Sequence, residues 1–421
     1  MKTNLGTLTT NLNNYTKRSI FLKTNDKHDE TDDFVFDKRL YVIFLIIFTE
    51  VLGFSMVFPL IPFLGKSLGL TPIEIGLIAS LFSFCQLFAS PVTGKLSDRF
   101  GRKPLFILSQ LSTFVGFLLL GFATTSVLLI VSRLIDGLLG SNMTVSQAYI
   151  SDITKPEYRT RVYGYSSGVF GAGLIFGPFI GGILSRIDYS LPMFFAATIT
   201  IVSIVLVVFF LSESATEKPD KVSLSFDEIL PIKDAIQFGK TPNVSNSLLM
   251  FFLFNIGFFL FISNFSLLAE AQLHVTADQV GFYMAWIGMI RVAIQTFLIA
   301  RLLRAIGESS MLKTGIFALI VSMVGIALST EYLLVFVPLI FLAYGTGVIR
   351  PILTSKLTNS VTQKETATVL GVNNSLTSIG QIITPIAGGF IIEYLPPQVL
   401  PILAAVLLSS LLLFVRNHIK W

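Results

Sequence analysis

Apolar residues run along this chain in blocks of twenty or more, broken by short clusters of charge, Pro and Gly. Crossing a hydrocarbon core of about 30 Å takes about 20 helical residues. On that measure twelve helices are predicted, at 40–64, 73–95, 104–125, 127–150, 162–185, 190–211, 246–268, 278–300, 312–330, 333–355, 367–392 and 396–415. An even number puts both chain ends on one side. The pattern divides the chain into a polar tail (1–39), a six-helix bundle (40–211), a linker (212–245), a second bundle (246–415) and a short terminus (416–421). The tail does not read as a cleaved signal, because residues 26–37 are rich in Asp and the apolar run behind them is too long. In the linker, Ile229, Ile232 and Ile236 allow a short amphipathic helix on the membrane face.

Composition agrees with an all-α polytopic membrane protein. Only 13% of residues are charged, against 53% hydrophobic, where soluble domains carry about 25% charge. The lone Cys85 rules out a disulfide scaffold.

The net charge of +5 follows the predicted topology. Of the 30 Lys and Arg residues, all but five fall on the tail, the C-terminus or the connections of one side, and only Lys66 and Arg186 fall on the other. That bias puts both termini in the cytoplasm. It records orientation in a plasma membrane rather than a nucleic-acid surface. The remaining three, Arg133, Arg291 and Arg350, lie in or near spans.

The fifth span contains Gly173, Gly177, Pro178, Gly181 and Gly182, and the eleventh repeats Gly380, Pro385, Gly388 and Gly389 at an offset of 207 residues. A weaker echo relates LSDRFGR at 96–102 to LLRAIGE at 302–308. Two echoes at nearly one offset predict two related six-helix halves. Glycines four residues apart line one helix side and permit close packing.

No metal, nucleotide or dinucleotide signature is present, so no cofactor and no enzymatic chemistry is expected. Ionisable groups inside spans are the informative ones. Glu50, in TEVLGFSMVFPLIP, is read as a proton carrier, as a competing site for a cationic substrate, or as a structural hydrogen-bonding group. Arg133 and Asp136, one helical turn apart, either neutralise each other or tune coupling to protons. Gln86, Asn142, Gln147, Asn255, Asn374 and Gln381 are candidates to line a wet cavity, with Phe259 and Trp286 as aromatic wall. Arg291 and Arg350 are further cavity candidates, either to balance buried negative charge or to receive an anionic group.

GKLSDRFGRKP, at 94–104, resembles the signature between the second and third helices of the major facilitator superfamily. Gly94, Asp98, Arg99, Gly101, Arg102 and Lys103 fill its key positions. EVLGFSMVFPLIP resembles the first-helix motif of twelve-helix drug:proton antiporters of the tetracycline-efflux type, with Glu50 where Asp is usual. Arg133 with Gly137 resembles their fourth-helix motif, and GAGLIFGPFIGG their fifth-helix antiporter motif. The resemblance implies a monomeric, proton-coupled exporter of amphipathic or drug-like molecules, with the 94–104 stretch as a conformational latch. A symporter or facilitator for organic solutes, and a lipid or lysolipid exporter, are the alternatives. Its partners would be the bilayer, protons and a small or lipid-like substrate, with no nucleic acid.

Overall fold

The computed structural model describes residues 36–215, 230–362 and 365–418, and from Lys38 onward the chain forms one unit. Every regular element among the described residues is helical. The tail up to residue 35 and Ile229 of the linker lie outside them.

The first six passages are built from eight helices. Helix α1 (Lys38–Val57) continues through a 3₁₀ turn at Phe58–Leu60 into α2 (Ile61–Ser67), followed by α3 (Pro72–Phe100) and α4 (Arg102–Gly121). The fourth passage is split into α5 (Ser126–Leu139) and α6 (Asn142–Ile153); α7 (Arg159–Ser185) and α8 (Ser190–Phe210) complete the half. A short α9 (Ile232–Gly239) then leads to α10 (Pro242–Ile262), α11 (Phe265–Leu273) and α12 (Ala277–Ala293). A π turn at Ile294–Leu298 joins α12 to α13 (Ile299–Ala327); α14 (Tyr332–Asn359), α15 (Thr366–Tyr394) and α16 (Val399–His418) follow.

Among the described residues eleven stretches are long and apolar enough to cross a membrane, and one of them, Ala277–Ala327, has 51 residues. At about 1.5 Å per residue it would be about 77 Å long if straight, more than two hydrocarbon cores. It is not straight. Gly307 interrupts it at φ 73, ψ 165, so the eighth and ninth predicted passages remain separate but are joined by a helix break instead of a loop. Gly101, which separates α3 from α4, has φ 105, ψ 156. These two glycines hold equivalent positions in the 206-residue repeat, and a backbone of this kind suits glycine alone. The second helix of each half also begins alike. Thr71 with Glu74 and Thr276 with Gln279 form capping boxes, satisfying amides that a helix start leaves unpaired.

Phe238 of α9 is buried, whereas Ile232 and Ile236 on the same helix are exposed. Of the seventh-passage phenylalanines, Phe251, Phe254, Phe261 and Phe265 are buried in the apolar core.

The two halves meet closely at the end that carries Lys66 and Arg186, here termed the charge-poor end. A Cβ on Gly76 would lie 2.3 Å from the Pro385 carbonyl oxygen, and one on Gly281 would lie 2.5 Å from that of Pro178. Gly389 is pressed on the Pro72 carbonyl and Gly182 on that of Asp278. Lys66 pairs with Glu270, Arg186 Nε with Asp278 Oδ2 at 2.8 Å, and Glu393 accepts the Ile73 amide at 3.1 Å. Toward the opposite end of α7 and α15, a Cβ added at Gly164, Gly168 or Gly371 would meet no atom within 4 Å. The same two helices are therefore clamped at one end and face open space at the other.

Candidate functional site

The split in the fourth passage creates a buried polar cluster in the first half. Helix α5 ends where Gly140 takes φ −80, ψ 64, and α6 restarts at Asn142. The break releases carbonyls that have no water to bond, and Gln86 Nε2 donates to the Gly140 oxygen at 2.7 Å. Gly140 also gives room to its neighbours. A Cβ there would stand 2.5 Å from Asp136 Oδ1 and 3.2 Å from Thr113 Oγ1.

Thr113 donates to Asp136 Oδ1 at 2.8 Å and accepts from Asn142 Nδ2 at 3.1 Å. Asn142 in turn neighbours Glu50. The other end of the chain is Arg133, whose Nη2 lies 3.9 Å from Asp136 Oδ2 and whose guanidinium carbon is 5.7 Å from the centre of the Phe82 ring. Three passages, the first, third and split fourth, thus supply one line of groups, Glu50, Asn142, Thr113, Asp136 and Arg133. Among the described residues, Glu50 Oε2, Asn142 Oδ1 and Arg133 Nη2 are enclosed without a hydrogen-bond partner. Both amide atoms of the fully buried Gln110, from the same helix as Thr113, are also unpartnered. Polar atoms kept this way in an apolar setting carry a free-energy cost that packing alone does not explain.

The 94–104 stretch makes a second cluster at the charge-rich end. Arg102 Nη1 bonds Asp98 Oδ1 at 2.6 Å and Ser97 Oγ at 2.6 Å, while its Nε reaches Asp152 Oδ2 at 2.9 Å. Arg99 lies against the Phe100 ring, and Lys103 Nζ donates to the Val208 carbonyl. Gly94 approaches Thr144 of α6. A cavity of about 280 Å³ here is lined by Asp98, Arg102, Ser151, Asp152, Arg159 and Ser214, with Ala215. The contacts described for Asp98 and Arg102 fall within the first half and the first residues of the linker.

Sequence reasoning passed over Glu213. Its Oε1 accepts the Arg102 amide at 2.7 Å and its Oε2 the Lys103 amide at 3.2 Å, so it caps α4 from more than a hundred residues away. Burial alone would raise its pKa, but the amides of Ala215, Arg102, Lys103 and Ser214 hold it below the ordinary carboxylate value. Only its acidity just after the sixth span could have hinted at this.

The remaining candidates are scattered. Asn255 donates to Thr377 Oγ1 at 2.8 Å, and Phe259 lies near Gly380 beside the Phe258 ring. Trp286 Nε1 donates to the Phe336 carbonyl at 3.2 Å within an aromatic group that includes Tyr283 and Tyr332. Gln147 and Asn374 are exposed, and Gln381 is half-buried. Arg291 is half-buried and Arg350 exposed. In the fifth passage, Gly173 and Gly177 accept the close approach of Val51 and Ser55, and Gly181 that of Met56. Ser55 Oγ donates to the Gly173 carbonyl at 2.9 Å.

Twelve helical passages in two pseudo-symmetric halves, clamped across Gly–Pro contacts and with ionisable groups buried inside one half, define a polytopic membrane transporter rather than an enzyme. The chain belongs to the Major Facilitator Superfamily, whose family profile matches residues 43–385. It is similar to the class H tetracycline resistance protein of Pasteurella multocida, with 29% identity over 85% of this chain and 90% of the relative. Multidrug resistance protein 2 of Bacillus subtilis is 30% identical over 85% of this chain and 89% of its own length. Among solved structures, the human organic anion transporter MFSD10 superposes with a TM-score of 0.66 at 19% identity, covering 89% of this chain and 98% of that one. At that identity the likeness concerns the fold.

Proposed function

We propose that the protein is a proton-coupled antiporter that exports amphipathic, drug-like molecules across the plasma membrane, with both termini in the cytoplasm. The observation that carries this reading is the line of groups from Glu50 through Asn142 and Thr113 to Asp136 and Arg133. It links a carboxyl in the first passage to an ion pair in the fourth. A proton arriving at either carboxyl alters the charge balance of the whole line. The similarity to tetracycline and multidrug resistance proteins supports the direction of transport and the kind of cargo.

With the charge-rich end toward the cytoplasm, the described conformation is open inward. Cargo enters from the cytoplasm or inner leaflet while Glu50 yields its proton. Opening of the charge-poor end then separates Gly281 from Pro178 and Gly76 from Pro385, releases cargo and admits a proton to Glu50. Arg133 holds Asp136 in the unprotonated state and is freed when that acid takes up a proton. The Asp98–Arg102–Asp152 cluster serves as a latch whose partners change when the inner ends close.

The test uses inside-out vesicles with an imposed pH gradient and a panel of lipophilic cations, neutral drugs and lysolipids. Cargo accumulation with matched proton movement is expected. Glu50→Gln should abolish gradient-driven accumulation while leaving cargo exchange in place. Proton-linked uptake in the opposite direction would overturn the proposal, as would full gradient-driven transport by the variant.

A further inference from the structure

The second half contains two arginines at membrane depth and no acid beside them. From Pro242 onward the acids among the described residues are Glu270, Asp278, Glu308, Glu331, Glu365 and Glu393. Each lies near a helix end or a helix break, and four are already engaged, by Lys66, Arg186, Thr362 and the Ile73 amide respectively for Glu270, Asp278, Glu365 and Glu393. Arg291, by contrast, is about 21 Å from the start of α12 and, because the helix runs on through the π turn, about 24 Å from the break at Gly307, while Arg350 is about 14 Å from the end of α14, at 1.5 Å per residue.

The two side chains converge. The Arg291 stem packs against Gly347 of α14, with Cγ 3.7 Å from the position a Cβ would take there. One turn further along the same face of α14 stands Arg350, and its charge acts directly on Arg291. Gln295, in the π turn that follows α12, donates to the Gly347 carbonyl at 3.3 Å and ties the two helices together at this level. Turns of this type recur at functional sites. Among the described residues neither guanidinium forms an ion pair or donates a hydrogen bond. Nor do the acids of the first half supply a counter-charge, since Glu50 is held near Asn142 and Asp136 by Thr113 and Arg133.

Two like charges at the same membrane depth, with no acid beside them, are costly unless an anion joins them. The guanidinium fork suits a carboxylate or another planar or tetrahedral oxyanion, which it can hold through two hydrogen bonds. We infer that Arg291 and Arg350 together receive the anionic group of an amphipathic cargo, whose apolar body lies along the helices. This rests on the transport reading above and narrows its cargo to molecules carrying a lipophilic body and one acidic group. Glu50 and the arginine pair then act on different species, the proton and the anion.

Binding to purified full-length protein in nanodiscs, followed by ligand fluorescence, tests the site with pyrenebutyrate, its methyl ester and pyrenebutylamine. The carboxylate should bind about tenfold or more tightly than the ester. Arg291→Gln and Arg350→Gln should each remove that preference and leave ester affinity unchanged, and Arg350→Lys should restore part of it. Equal affinity for carboxylate and ester, or equal loss of both in the variants, would overturn the site. A third overturning result is an inorganic anion only: chloride or sulfate reproducing the whole arginine-dependent response at millimolar concentration while the carboxylate adds nothing. Proton flux measured with the same three probes separates this inference from the antiport reading. Proton-coupled export of the ester or amine but not the carboxylate would remove the inference alone. Arginine-dependent carboxylate binding without proton movement would remove antiport alone.

Discussion

Gly281 and Pro178 touch across the two halves, and the contact is repeated with the halves exchanged by Gly76 and Pro385. In each case a glycine of the half's second helix lies under a backbone carbonyl of the other half's fifth helix, too close for any side chain. These contacts close the charge-poor end. A single methyl group tests whether that closure is needed.

Gly281→Ala would place its Cβ 2.5 Å from the Pro178 oxygen, a backbone atom that cannot swing aside. Overpacking of this kind costs about 1–3 kcal/mol, which would shift the equilibrium away from closure by roughly fivefold to more than a hundredfold. Pulsed electron resonance distances between labels at the charge-poor end should lengthen, with the protein still inserted at normal yield. Unchanged distances would show that the helices accommodate the methyl group.

The two cross-half ion pairs are partly exposed, so each contributes about 0.2–1 kcal/mol and weakens with salt. Lys66→Glu should open the charge-poor end and raise the reactivity of cysteine probes placed there. Adding Glu270→Lys should restore protection. If the double swap stays as open as the single variant, the Lys66–Glu270 pair is not what holds that end.

Asp136 and Gly140 form a linked pair of predictions. Asp136→Asn keeps the Thr113 hydrogen bond possible but removes the charge facing Arg133, so transport should persist with an altered dependence on pH. Gly140→Ala would drive a methyl group into the Asp136 carboxylate and should lower transport and thermal stability together, by about 1–3 kcal/mol in the latter. A pH profile for Asp136→Asn that overlays the wild type would take Asp136 out of the coupling path.

Glu213 predicts an acid limb. Its folded-state pKa is depressed because its carboxylate caps α4, so its stabilising contribution is complete above the unfolded carboxylate value of about 4.3. That contribution is lost as pH falls through the lower, folded-state value. Thermal unfolding in detergent should therefore show wild type losing its advantage over Glu213→Gln as pH drops below about 5. An advantage that persists unchanged into acid would mean the cap does not depend on charge.

Much of this arrangement was legible before any helix was placed. The block length of the apolar runs specifies membrane helices because each must satisfy its own backbone within about 20 residues. The 206–207-residue echoes announced the two halves, and Gly101 and Gly307 meet that expectation with matching left-handed backbones. Glu50, Arg133, Asp136 and Asn142 were identifiable because a polar side chain within a span needs a reason.

Other features belong to tertiary structure. The break at Gly140 interrupts a run that reads as one continuous helix, because a hydrogen-bonding partner for its freed carbonyl comes from Gln86 on another helix. Thr113 looks like any threonine in an apolar segment until folding sets it between Asp136 and Asn142. Glu213 caps a helix that starts 111 residues earlier, and no local pattern encodes so distant a pair. Local periodicity and charge bias thus determined how many times the chain crosses and where its buried charges sit along it. Which of those charges meet was decided only when the helices packed, because side chains far apart in sequence become neighbours through the crossing of whole helices.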